Sequence, residues 1–120
     1  MRPESAAFLW DVRGAADSIA SFIAGLDQDV YLADALRRSA VERQLEIIGE
    51  ALNSLHWVDP GTAPEIPDLP RIVGLRNVLA HGYAIVDDRV VWAAASTRVP
   101  VLRTVVDRLL GAGNGVATIE

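Results

Sequence analysis

The chain has no cysteine and no lysine, and all eleven of its basic residues are arginine. Without cysteine there is no disulfide framework and no thiolate metal site. Without lysine there is no Schiff base and no phosphate-loop lysine. Two histidines are the whole imidazole supply. With scattered carboxylates they make a poor set for a structural zinc ion, which takes four ligands. No apolar run approaches the roughly 18–20 residues of a membrane span. The start, Met1-Arg2-Pro3-Glu4-Ser5, carries no apolar stretch of signal-peptide type behind its one basic residue. A soluble, cytoplasmic protein is the expectation. Strand alternation of useful length and internal repeats are also missing. The net charge of −5 argues against a general nucleic-acid coat, and no DNA partner is expected. A small RNA site built from a few arginines stays open, because only the local potential at a cleft matters.

What is present is helical periodicity. In 120 residues, 51% of them apolar, there is material for one domain around one core. Phe8, Val12, Ala15, Ile19, Phe22 and Leu26 step by four and three, which draws a stripe along a first helix from about Ser5 to Leu26. Ser5 is the expected N-cap, and Gly25 with Asp27 marks the exit. Val41, Leu45, Ile48, Leu52 and Leu55 repeat that rhythm in a second helix, from about Asp29 to Leu55, with Leu36, Ala40, Ile47 and Ala51 widening the stripe. Gly49 in mid-helix costs roughly 1 kcal/mol against alanine, so close approach of another backbone is expected there.

Pro60, Gly61, Pro64, Pro67 and Pro70 make residues 56–70 a connector. His56, at the end of the second helix, is read as a dipole or packing residue rather than a catalyst. A third helix is expected from Asp68 or Leu69, with Asp68 as cap and Pro70 in its first turn, to Gly82. A fourth starts at Asp87 or Asp88 on the stripe Val91, Ala95, Val99, Leu102, Val106 and Leu109. Pro100 either kinks it or separates two helices. Residues 1–110 are expected to form a single all-α, antiparallel bundle of four to five helices. Residues 111–120, with three glycines, form a flexible tail.

One stretch sets polar residues able to do chemistry inside an apolar frame: Leu75-Arg76-Asn77-Val78-Leu79-Ala80-His81-Gly82-Tyr83. Histidine titrates near neutrality and can take a proton from a ribose 2′-hydroxyl or give one to a leaving oxygen. Arginine offers a fixed positive fork for phosphate oxygens. Asn77 can orient a phosphate or the imidazole. Transesterification of RNA by its own 2′-hydroxyl needs no metal and no cofactor. Five residues span about 140° on an ideal helix, so Arg76 and His81 of one helix do not aim at one spot unless the helix distorts near Gly82. Two copies facing each other across a twofold axis would solve this, with arginine from one subunit meeting histidine of the other. Spacing alone leaves open a second reading, in which both residues only serve the helix end as cap and dipole partners.

Arg76-Asn77-Val78-Leu79-Ala80-His81-Gly82-Tyr83 resembles the R-x4-H-x-Y motif of HEPN-domain toxins of the HepT-like group. Leu45-Glu46-Ile47-Ile48-Gly49-Glu50-Ala51 is similar to that family's "LEIIGEA" segment on the second helix, and Ile66-Pro67 and Val90-Val91-Trp92 also fit. The resemblance covers roughly residues 6–110. It implies a homodimeric HEPN bundle and a metal-independent endoribonuclease with the motif lining the dimer cleft. Arg76 and His81 are then the catalytic pair, with Asn77 in support. It also implies a toxin of a type VII-like toxin–antitoxin module whose partner is a minimal nucleotidyltransferase. Tyr83 matches the tyrosine that this partner modifies with AMP, which would place bulk and negative charge beside the RNA site. The sequence departs from the family where Ala84 stands in place of a frequent aromatic residue. Its acidity leaves RNA affinity to local arginines such as Arg76 and Arg71. The competing reading is a non-catalytic helical binding subunit of a nucleotidyltransferase complex.

Overall fold

The computed structural model describes residues 1–82 and 85–113, and all regular structure among them is helical. Helix α1 spans Pro3–Ile23, α2 Gln28–Ala33, α3 Ala35–Val58, α4 Leu69–His81, α5 Asp88–Ala93 and α6 Val99–Gly113. A 3₁₀ turn at Ala63–Glu65 interrupts the proline-rich connector. A π-helical turn, Ala94–Arg98, joins α5 to α6.

Helix α3 stands at the centre, with α1 on one side and α4 on the other, and α6 packs on α1. Leu9, Val12 and Ile19 of α1 meet Val41, Leu45, Ile48, Leu52 and Leu55 of α3, joined by Leu102, Val106 and Leu110 of α6, all essentially sealed from solvent. Each such side chain contributes about 1.5–3 kcal/mol by burial. Three long-range contacts give the directions. Ser5 Oγ donates to Asp59 at 2.7 Å, so the start of α1 lies at the end of α3. Arg13 pairs with Asp107 at 2.7 Å and Arg103 with Asp17 at 2.9 Å, so α6 runs opposite to α1. The bundle is antiparallel, as expected.

Four local expectations are corrected. Ser5 does not cap α1, which begins at Pro3. It is fully buried and serves Asp59 instead, and Leu9 rather than the half-buried Phe8 opens the apolar stripe. The expected single helix from Asp29 to Leu55 is two helices. Asp34 takes an extended conformation and its carboxylate accepts from Arg37 N–H at 3.1 Å, capping α3, as Asp27 caps α2 through Val30 N–H at 2.9 Å. The break leaves Leu36 81% exposed and swings Tyr31 into the core against Trp92, with ring centroids 5.1 Å apart. Burial, then the charges of Glu42 and Asp88, pushes the Tyr31 phenol well above its ordinary range, and its hydroxyl has no hydrogen-bond partner among the described residues. Asp68 stands at the N-cap of α4 but in the left-handed region (φ 59°), and its side chain caps nothing. Finally, α6 continues to Gly113, into the stretch expected as tail, and residues 114–120 lie outside the described residues.

Pro100 resolves as two helices meeting, since it falls at the second position of α6. It has no N–H to donate into the preceding turn. That turn widens, and Val99 N–H reaches back five residues to Ala94 C=O. The hydroxyl of Ser96 donates to Trp92 C=O at 2.7 Å, so a side chain satisfies backbone in the disturbed stretch.

One polar hub ties the connector down. Asp59, 6% exposed, accepts from Arg2 N–H at 3.0 Å, from the Ser5 hydroxyl and from Thr62 through both its hydroxyl (2.8 Å) and its N–H (3.1 Å). The Arg2 N–H, followed by the Ser5 and Thr62 hydroxyls, holds this carboxyl well below the usual carboxylate range.

Candidate active site on helix α4

Helix α4 is defined at both ends by backbone geometry. Pro70 lies in its first turn, where a missing N–H costs nothing. Gly82 closes it at φ 63°, a left-handed conformation that glycine reaches without strain, and its N–H returns to Val78 C=O at 3.1 Å. Between them the helix is regular through His81. The distortion that would bring Arg76 and His81 of one chain to the same spot is not there. They leave the helix about 140° apart and about 7.5 Å apart along its axis.

Their surroundings differ accordingly. Arg76 is half-buried, its stem lying on α3 at Gly49, and its Nη1 donates to Asn77 Oδ1 at 2.9 Å. No carboxylate pairs with its guanidinium among the described residues. Asn77 and His81, four residues apart, lie on the exposed side. The structure thus joins Arg76 to Asn77 by a hydrogen bond and sets His81 on the exposed side with Asn77, away from the side on which Arg76 meets α3. Tyr83 and its neighbour Ala84 lie outside the described residues.

The rest of α4 is poorly covered. Of its thirteen residues only Leu69 and Ile72 are buried. Arg71, Gly74, Asn77, Val78, Ala80 and His81 face outward, Val78 with 38% of its surface exposed. Leu75 and Leu79 pack only partly against the core. Near the start of the helix, His56, Pro60, Pro64 and Pro70 line a groove of about 330 Å³. His56 is exposed and its ring stands edge-on to Trp57, with centroids 5.6 Å apart. Among the described residues no group of three or more His, Asp or Glu side chains could hold a metal ion, and no helix is long and apolar enough to cross a membrane.

The expectations at Gly49 and Arg76 come together here. At the mid-helix glycine of α3 the chain of α4 approaches closely, and the residue that occupies the space is Arg76. The Asp59 hub had no signal in periodicity, because a lone Asp before Pro-Gly reads as an ordinary turn residue.

The profile of the Ribonuclease HepT-like family matches residues 12–109. A putative RNase of Methanocaldococcus jannaschii, MJ1380, is 32% identical over 103 residues, covering 84% of this chain and 92% of that protein. The probable ribonuclease HepT of Thermococcus cleftensis is 32% identical over 102 residues, covering 85% and 92%. A second M. jannaschii protein, the putative RNase MJ0125, is 30% identical over 104 residues, covering 87% and 89%. No solved structure matches the chain. The matched span includes the central α3, the whole of α4 and the Arg76–His81 segment, so this all-helical chain belongs to the HepT-like ribonuclease family of HEPN domains.

Proposed function

We propose that the protein is a metal-independent endoribonuclease that works as a homodimer, with Arg76 of one subunit and His81 of the other in one composite site. The observation that carries this reading is the division of α4: Arg76 rooted against α3, His81 on an exposed face of the same regular helix. A single chain presents half a site on each side. A twofold axis beside α4 would complete both halves and cover Val78 and the partly exposed Leu75 and Leu79.

The chemistry follows from the residue types. The ribose 2′-oxygen attacks the adjacent phosphorus as its O–H bond breaks. The P–O bond to the 5′-oxygen of the next nucleotide then breaks, leaving a 2′,3′-cyclic phosphate and a 5′-hydroxyl. His81 carries a proton, off the 2′-hydroxyl or onto the leaving 5′-oxygen. The Arg76 fork binds the non-bridging oxygens, on which negative charge builds. Asn77 holds the guanidinium in place through the 2.9 Å hydrogen bond. No metal enters any of these steps.

Family membership supports placing the protein in the cytoplasm as the toxin of a two-component module, with a minimal nucleotidyltransferase as antitoxin. The transferase would silence it by AMPylation. The Tyr83 phenol oxygen would attack the α-phosphorus of ATP and release pyrophosphate, leaving adenylate two residues from His81.

Mixed dimers test the composite site. An Arg76→Ala subunit paired with a His81→Ala subunit contains one intact Arg/His pair and is expected to keep about half of the wild-type rate. Either homodimer alone is expected to be inactive. Activity in an isolated monomer sinks the composite site. Purified protein with unmodified Tyr83 that leaves RNA intact sinks the nuclease and favours a non-catalytic subunit of a transferase complex. Intact mass after co-expression with the transferase reads the AMP on Tyr83.

A further inference from the structure

We propose that Gly49 is a positioning residue for Arg76: the missing side chain at this place on α3 seats the arginine stem and sets the direction in which its guanidinium leaves α4. The inference rests on the reading of Arg76 as the phosphate-binding group of the nuclease.

Gly49 lies buried in the interior of a helix of 24 residues, where glycine weakens the helix relative to alanine. Space gives the reason. A Cβ at Gly49 would stand 2.7 Å from Cγ of Arg76, closer still to its Cβ, and 3.4 Å from the carbonyl oxygen of Ile72. These atoms belong to the root of Arg76 and to the backbone of α4, so turning a flexible end cannot relieve the clash. The whole of α4 would have to move off α3. A Cβ at Gly14 on α1 or at Gly74 on α4 meets nothing within 4 Å. Among the glycines inside α1, α3 and α4, only Gly49 is required by its surroundings.

The stem of Arg76 is thus held at the seam, and its head is held by Asn77 Oδ1 at 2.9 Å. With both ends fixed, the guanidinium has little freedom to search for a phosphate. A displacement of about 1 Å in such a group can cost on the order of 100-fold in rate.

The test compares Gly49→Ala with Gly14→Ala as purified dimers, using a single-stranded oligoribonucleotide at a temperature where both are fully folded. For Gly49→Ala, kcat is expected to fall about 10–100-fold with KM within about threefold of wild type. Gly14→Ala is expected to keep wild-type kinetics and an equal or higher Tm. A double-mutant cycle on Tm reads the contact itself, and where Gly49→Ala alone fails to fold, recovery of a folded protein in the Gly49→Ala/Arg76→Gly double mutant reads it instead. Alanine at 49 is expected to lower Tm steeply when Arg76 is present and much less in an Arg76→Gly background. A folded Gly49→Ala dimer with kcat within about twofold of wild type overturns the inference. So does a rate loss that disappears on cooling, or a Tm loss equal in both backgrounds. Arg76→Ala separates this inference from the reading beneath it. If Arg76→Ala still cleaves, the nuclease assignment of Arg76 fails. If Arg76→Ala is dead and Gly49→Ala is fully active, only the positioning role fails.

Discussion

Helices α3 and α4 lie against each other, yet the chain treats them in opposite ways. Helix α3 buries Val41, Leu45, Ile48, Ala51, Leu52 and Leu55 along one unbroken seam, and Gly49 with them. Helix α4 buries two residues and leaves most of its length facing outward. The first is held by its own chain from two sides. The second is held from one side, and the residues proposed for chemistry are divided between the held side and the open one. A strong apolar stripe therefore marks what supports the proposed site, and the weakly covered helix beside it carries the residues proposed for it.

The widest separation between the two helices should come from paired truncations. His81→Ala is expected to lower RNA cleavage by about 10²- to 10⁴-fold and to leave thermal unfolding nearly unchanged, since His81 is exposed at the end of α4. Leu52→Ala is expected to destabilise the fold by about 2–5 kcal/mol, because Leu52 is completely buried on the central seam. Denaturant unfolding read beside cleavage kinetics checks both. An active His81→Ala, or a Leu52→Ala with wild-type stability, would break the contrast.

A charge on the open face of α4 comes next. Val78→Asp places a carboxylate where Val78 is 38% exposed. For the isolated chain this is a surface change, worth within about 1 kcal/mol. If that face meets a second copy, the buried charge costs several kcal/mol of association. The expected result is a monomer by sedimentation, with intact helicity and no cleavage. A variant that remains dimeric would move the interface away from α4.

The Asp59 hub predicts an acid limit on stability that belongs to the supporting helices. Its carboxyl titrates below its unfolded value, near 3.9, because Arg2 N–H, Ser5 and Thr62 donate to the charged form. A depressed folded pKa gives stability that is present above the unfolded value and lost as pH falls below it. Ser5→Ala removes one donor at 2.7 Å and is expected to cost about 1.5–3 kcal/mol near neutrality. Asp59→Asn is expected to flatten the fall in Tm between about pH 4 and pH 2. An unaltered acid limb in Asp59→Asn would remove the hub from the account.

Periodicity in the sequence carries most of this contrast. The stripes on α1, α3 and α6 named Val12, Ile19, Leu45, Ile48, Leu52 and Leu102, all buried, because an apolar face repeating every 3.6 residues has few other uses. Gly49 was also legible, since a mid-helix glycine asks for a spatial reason. The break at Asp34 was not. The apolar rhythm runs on through it, and an Asp that caps a helix looks in sequence like an Asp on an exposed face. The Asp59 hub was hidden for a related reason, since two of its four donors come from residues 54 and 57 positions away in the chain. At the site, the residue types and the rotation between positions 76 and 81 were legible. The covering of α4 was not, because a half-filled stripe such as Ile72, Leu75 and Leu79 does not say whether its own chain or another completes it.

The smallest effect expected is at the seam between α1 and α6. Arg103 lies 2.9 Å from Asp17 and 3.7 Å from Asp107, and Arg13 lies 2.7 Å from Asp107. Asp17 donates nothing and accepts from Arg103, so their bond and their opposite charges favour the charged arginine and push its titration upward. Arg103, Asp17 and Asp107 are substantially exposed to water, which screens the attraction, and ordering long side chains costs entropy. Arg103→Ala should therefore lower Tm only slightly, and the difference should shrink further in high salt as the screening length falls to about 3 Å at 1 M. Cleavage should be untouched, because these charges pair α1 with α6 and involve no residue of α4. A loss of several kcal/mol at Arg103 would mean that the α1–α6 contact rests on charge more than on Val12, Leu102 and Val106, and that the support for α3 is polar where its burial says it is apolar.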